Sequence, residues 1–105
     1  MNFVRTAAMI LLAASIAAPA FAQGAGAETY KAKCAMCHGP DGTAATPMGK
    51  MMKIPSFKEP ALVKATDGQL FESTKNGKGK MPAYNGKLTD AQIKEVVSYI
   101  RTLQK

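Results

Sequence analysis

The chain has no tryptophan, one histidine (His38) and two cysteines (Cys34 and Cys37) in 105 residues. Each scarcity excludes something. Two cysteines close at most one disulfide, so no disulfide framework holds the fold. Two cysteines and one histidine also fall short of the four ligands of a structural zinc site, unless carboxylates or a second chain contribute. Acidic residues are few, seven Asp and Glu against 14 Lys and Arg, for a net charge of +7. No strand-like alternation, internal repeat or low-complexity tract is present. The length admits one small domain and excludes a two-domain enzyme, a barrel, or a dinucleotide-binding fold with its catalytic partner.

Long hydrophobic runs are absent with one exception. Residues 7–18 are apolar apart from Ser15. Arg5, the only charge before Glu28, precedes them, and Pro19 and Ala20-Phe21-Ala22 follow. A basic start, a short apolar stretch and an Ala-x-Ala triplet describe a secretory signal peptide over 1–22, with Gln23 as the first mature residue. A membrane anchor is the competing reading. About a dozen apolar residues is short of the roughly 20 that span a bilayer. The expected organisation is therefore a cleaved leader (1–22) and one domain (23–105), exported to the periplasm and soluble. The leader holds 17 of the 49 hydrophobic residues, leaving 32 in 83, or 39%. Removing Arg5 lowers the net charge to +6. A domain of that size is near the limit for a protein-only core, and its aromatics are only Tyr30, Phe57, Phe71, Tyr84 and Tyr99.

Helical patterns dominate what remains. Gln23 to Ala27 reads as a frayed, Gly-rich start. A helix follows from about Ala27 to Cys37, with Tyr30, Cys34 and Cys37 on one face, and Gly39-Pro40-Asp41-Gly42 stops it. Residues 43–65 read as an ordered loop with one helical turn near Pro60 to Lys64. Thr66 and Gln69 make a capping box for a helix that ends at Gly77. Residues 78–86 form an irregular Gly/Pro loop. Thr89 and Gln92 cap the last helix, Leu88 can staple onto Ile93, and Ile93, Val96, Val97, Ile100 and Leu103 form a stripe. Loops this long in a small domain suit a chain that wraps something.

Cys34-Ala35-Met36-Cys37-His38 is the attachment signature of a c-type haem. Thiols three residues apart share a helix face and can each form a thioether with one porphyrin. The next residue, His38, then offers an imidazole nitrogen to the iron. A redox Cys-x-x-Cys pair should follow a strand, and none precedes Cys34. A plain disulfide here would be strained and would leave His38 unexplained.

The second axial ligand cannot be another histidine. Methionine is next, and His/Met ligation is an electron-transfer choice. Met36 lies between the attachment cysteines, on the wrong side to cross the ring. Met48, Met51 and Met52 follow His38 by only ten to fourteen residues and read as gap-filling core residues. Met81 lies 43 residues on, enough chain to return on the opposite face, and sits in an irregular loop that can aim one side chain inward.

Gly26, Tyr30, Cys34-x-x-Cys37-His38-Gly39, Met81-Pro82-x-Tyr84 and the Tyr99-bearing last helix resemble class I cytochrome c, most of all the short single-haem cytochromes of bacteria. The match covers nearly all of residues 26–103. The resemblance implies an all-α cytochrome c fold, three to four short helices and long loops wrapped around one covalent haem c. It implies that the first and last helices cross at Gly26, Tyr30, Val96 and Tyr99. It also implies a proline carbonyl near His38, with Pro47 the candidate and Pro40 the rival.

His38 and Met81 as axial ligands leave no open iron position. The chain has no second histidine, carboxylate dyad or nucleophile elbow, so the expected role is a periplasmic electron carrier and not an enzyme. The alternative is a haem sensor or peroxidase-like protein whose Met81 detaches; a small subunit of a larger oxidoreductase is a third reading. Lys75, Lys78, Lys80 and Lys87 cluster around the Met81 loop, although basic residues are scattered elsewhere too. A positive rim would steer transient docking of an acidic redox protein to a monomer. Nucleic acid is not expected, because the basic charge carries no recognition motif. Two ionised haem propionates would bring the net charge to about +4.

Overall fold

The computed structural model describes residues 18–105, with side chains from residue 24 onward. The expected leader lies outside these residues, except that 18–22 continue the backbone of the first helix. Six helices follow in order: α1 (Ala18–Lys33), α2 (Ala35–His38), α3 (Pro47–Met51), α4 (Pro60–Lys64), α5 (Asp67–Asn76) and α6 (Asp90–Leu103). Among the described residues no strand forms, only two isolated bridges, one of them between Lys78 and Met81. No described helix is long and apolar enough to cross a membrane.

The all-α class is as expected, but the helices are more numerous. Residues 23–27 are helical rather than frayed, because Gly26 packs onto α6. A Cβ there would run into the Glu95 carbonyl and come within 3.3 Å of Tyr99 Cβ. The helix expected to continue to Cys37 is interrupted at Cys34 (φ −119°) and resumes as α2. The additional α3 begins at Thr46, whose hydroxyl accepts from the Gly49 N–H, with Pro47 in the first turn. Both are helix-start signals. The turn at Pro60–Lys64 forms as expected. Both capping boxes form, Thr66 with Gln69 and Thr89 with Gln92, and Gly77 ends α5 at φ 81°.

Helix α6 is the spine, and α1 and α5 both pack on it. Its apolar stripe divides in two. Val96 and Ile100 join Tyr30, Cys34 and Phe57 in one cluster. Ile93 and Val97 join Leu70 and Leu88 in another, the last of these being the expected staple partner of Ile93. Adjacent positions on a helix point about 100° apart, so Val96 and Val97 can serve different neighbours. Tyr30, Ile93 and Val96 are fully buried, each contributing roughly 1.5–3 kcal/mol by leaving water. The crossing at Gly26, Tyr30, Val96 and Tyr99 is as expected, with the Tyr30 and Tyr99 rings 5.2 Å apart.

Arg101 was not singled out in the sequence. It fixes the α4–α5 connection to α6 by donating to the Asp67 carboxylate at 2.8 Å, the Gln104 side chain at 2.9 Å and the carbonyls of Leu62 and Ala65.

Candidate haem site

Between α2 and α5, which make no direct contact, lies a cavity of about 420 Å³. That volume is within the range of roughly 300–1,000 Å³ usual for cofactor pockets. Its wall is mainly apolar and includes Leu70, Val96 and Ile100, one from α5 and two from α6. Cys34, Cys37, His38 and Met81 all line it. A flat apolar macrocycle would bring to this space the hydrophobic centre that the short chain lacks.

Local bonding explains why the attachment segment faces inward. Cys34 N–H donates to the Tyr30 carbonyl at 2.8 Å and His38 N–H to the Cys34 carbonyl at 2.9 Å, so the turn stays helical across the break. The buried Tyr30 hydroxyl donates to the Gly39 carbonyl at 2.6 Å, fixing the backbone just after His38. Ala44 N–H donates to the His38 carbonyl at 2.7 Å, and Ala44 adopts a left-handed conformation (φ 59°) to do so. That conformation costs an L-residue roughly 1–2 kcal/mol. Thr46 caps α3 and also donates to the Cys37 carbonyl at 3.0 Å, which docks α3 under the motif. Gly49 is required at this contact, because a Cβ would press on the carbonyls of Ala44 and Cys37.

The donors fit a covalent haem. Both cysteines are free thiols. Cys34 is buried, and desolvation followed by the neighbouring Cys37 pushes its thiol up to about 11. The His38 ring stacks on Phe57, with centroids 4.6 Å apart and planes 17° from parallel. Burial pushes the His38 imidazole below its ordinary range, favouring the neutral form that can bind a metal. Its Nδ1 is buried and has no hydrogen-bond partner among the described residues. Neither the Pro47 nor the Pro40 carbonyl is hydrogen-bonded to it. In a metal-bound histidine the partner of the ring nitrogen that does not bind the metal tunes the ligand.

The methionines separate clearly. Met36 is 74% exposed, as its position between the cysteines suggested. Met51 is 73% exposed, so the core role expected for it fails; it points outward from a five-residue helix. Met48 and Met52 are half-buried, and Met52 lines the cavity together with Met81. The structure thus brings two methionines to the site where the sequence singled out one.

The lysines also regroup. Lys75 pairs with Asp90 at 3.3 Å and contributes less free charge than expected, and the Lys87 ammonium sits 5.9 Å from the Tyr84 ring centre. Lys78 and Lys80 do border the cavity, and the exposed Lys33 and Lys53 join them there. Among the described residues none of these four forms an ion pair. Sequence spacing could not reveal the grouping, because it assembles from three separate segments.

Known proteins resemble this chain in sequence and in fold. A family model described as cytochrome C oxidase, cbb3-type, subunit III matches residues 21–100. The chain is 38% identical over 90 residues to a cytochrome c6 of Picosynechococcus sp., covering 78% of this chain and 75% of that one. A cytochrome c6 of Synechococcus sp. is 32% identical over 98 residues, covering 88% and 81%. Among solved structures, the KustC0563 c-type cytochrome superimposes with a TM-score of 0.70 at 28% identity, covering 76% of this chain and 98% of that one.

Proposed function

Since this chain belongs to the class I c-type cytochromes, which are electron-transfer proteins carrying covalently bound haem c and not enzymes, we propose that it shuttles single electrons between periplasmic redox proteins, with His38 and Met81 as axial ligands. The supporting observation is that one cavity is lined by both cysteines, His38 and Met81. The working protein is residues 23–105, after removal of the 1–22 leader.

When bound, the haem supplies a one-electron couple at its iron. The chain's own residues do the rest. Cys34 and Cys37 tether the group. Phe57 holds the His38 ring flat against itself, and burial keeps that ring neutral. The apolar wall excludes water and keeps the change of charge on oxidation in a low-dielectric setting. Met81 is favoured over Met52 because α3, which ends just before Met52, packs on α2, the helix that carries His38. Met52 therefore starts from the histidine's side of the cavity.

Lys33, Lys53, Lys78 and Lys80 suit an acidic partner. Two ionised propionates offset two of the four charges and leave the rim positive. Encounter rates with an acidic protein should fall as salt shortens the Debye length, about 8 Å at physiological ionic strength.

The test is spectroscopic. The oxidised holo-protein and its Met52→Ala variant should show the weak near-infrared methionine–iron band, and Met81→Ala should lose it. Retention of the band in Met81→Ala refutes the ligand assignment. Ready carbon monoxide binding by the reduced protein at neutral pH would instead favour a sensor or peroxidase-like role. A second reading, a subunit of a larger oxidase, is favoured by the description of the matching family model. It requires the protein to elute from native extract at far above 11.1 kDa.

A further inference from the structure

Between Gly77 and Gly86 the chain carries Met81 and is tied almost wholly to α5. Tyr84 N–H donates to the Thr74 carbonyl at 3.1 Å and Asn85 N–H to the Lys75 carbonyl at 3.0 Å. Lys78 and Met81 exchange backbone bonds of 3.1 and 2.9 Å within the loop. One bond leaves this unit for the opposite wall of the cavity. The Tyr84 hydroxyl donates to the carbonyl of Lys33 at 3.0 Å, across 51 residues of sequence. Lys33 immediately precedes Cys34. Among the described residues no other hydrogen bond joins the loop to α1 or α2.

From this connection we infer that Tyr84 is a positioning residue for Met81: its hydroxyl ties the methionine loop to the haem-attachment segment and sets how readily Met81 leaves the iron. The inference rests on the His38/Met81 reading above.

The physical reasoning is direct. Movement of its loop away from α2 withdraws Met81. The other loop bonds are internal, to α5 or to the adjoining Lys87 and Leu88, so none of them opposes a shift of the loop away from α2. The Tyr84 bond opposes that shift because it spans the two walls. Tyr84 lies three residues from Met81, so little slack separates the tether from the ligand. Its ring is half-buried against the Leu70–Leu88–Ile93–Val97 cluster and also lines the cavity. Replacing it by phenylalanine therefore removes the tether and keeps the packing. A bond between a hydroxyl and a carbonyl of this kind shifts an equilibrium by about fivefold.

Tyr30 provides the comparison. Its hydroxyl bonds the Gly39 carbonyl at the other end of the attachment segment, and its ring lies in the α1–α6 core, away from the methionine loop. Loss of that bond should weaken the fold without releasing Met81 selectively.

Oxidised holo-protein is titrated with imidazole, which competes for the methionine position, and loss of the near-infrared band is followed. Tyr84→Phe should bind imidazole about fivefold more tightly than the unsubstituted protein. Tyr30→Phe should remain within twofold while melting at a lower temperature. An affinity for Tyr84→Phe within twofold of the unsubstituted protein overturns the inference, as does an equal gain in both variants, which would indicate general loosening. A band that is present, is abolished by Met81→Ala and shows unaltered imidazole competition in Tyr84→Phe overturns the inference alone. A protein with no band at all overturns the ligand assignment together with it.

Discussion

Leaving the cavity unfilled should unfold the domain. Cys34→Ala combined with Cys37→Ala abolishes both thioethers, and any loosely held haem can then be extracted. The unfilled space is about 420 Å³. At about 24 cal/mol per Å³, the figure for an enclosed cavity, the cost is at most about 10 kcal/mol, and the open rim lowers it. A domain of 83 residues has a net stability of roughly 4–12 kcal/mol, taking about 0.05–0.15 kcal/mol per residue. The penalty is thus comparable to the whole margin, and half of it would exceed the lower end of that range. The chain has no disulfide to compensate, since its two cysteines are free thiols and both are replaced in this variant. The haem-free variant should show weak helical circular dichroism and no cooperative melt, whereas the holo-protein should melt sharply. A haem-free variant that is fully helical and melts cooperatively above about 40 °C would refute the reasoning that the porphyrin completes the core.

Three further outcomes follow from the packing. Gly26→Ala places a methyl against the Glu95 carbonyl at the α1–α6 crossing; overpacking of this type costs about 1–3 kcal/mol. The holo-protein should melt about 10 °C lower, and an unchanged melting temperature would contradict the crossing. Arg101→Met strands the Ala65 carbonyl that the guanidinium now satisfies, while the Leu62 carbonyl keeps the Gln104 side chain, costing about 1–3 kcal/mol in denaturant unfolding. Asp67→Asn should change little, because that carboxylate is 77% exposed. Burial raises the Tyr30 phenol above its ordinary value of about 10. The folded state then holds that proton more tightly than the unfolded state. Its stabilising contribution is complete below about pH 10 and is lost as pH rises beyond it. Thermal melts of the holo-protein between pH 9 and 11.5 should fall less steeply in Tyr30→Phe; an identical slope would remove Tyr30 as the cause.

The legible parts of this protein are those governed by short-range rules. The Cys34–Cys37–His38 spacing points to covalent haem from five residues, because two thiols on one helical face suffice for the proposed attachment. The capping boxes at Thr66 and Thr89 mark their helices because each consists of bonds spanning three residues. The Gly26 crossing is legible only through resemblance, since nothing in the local sequence says which helix approaches it. Helix α3 is not legible from periodicity, although Thr46 and Pro47 signal its start. Its five residues contain no periodic stripe, and its packing partner is the backbone of the attachment motif.

The sequence by itself determined the cofactor, the helical class and the excess of positive charge, because each depends on residue types and near neighbours. Only the tertiary structure decided which residues line the cavity. It stacked Phe57 on His38, turned Met51 outward and brought Met52 to the cavity beside Met81. It gathered Lys33 and Lys53 with Lys78 and Lys80, and it set the Tyr84 hydroxyl on Lys33, 51 residues away. The physical reason is that such contacts arise where separate segments close around one cavity, so local composition and periodicity do not encode them.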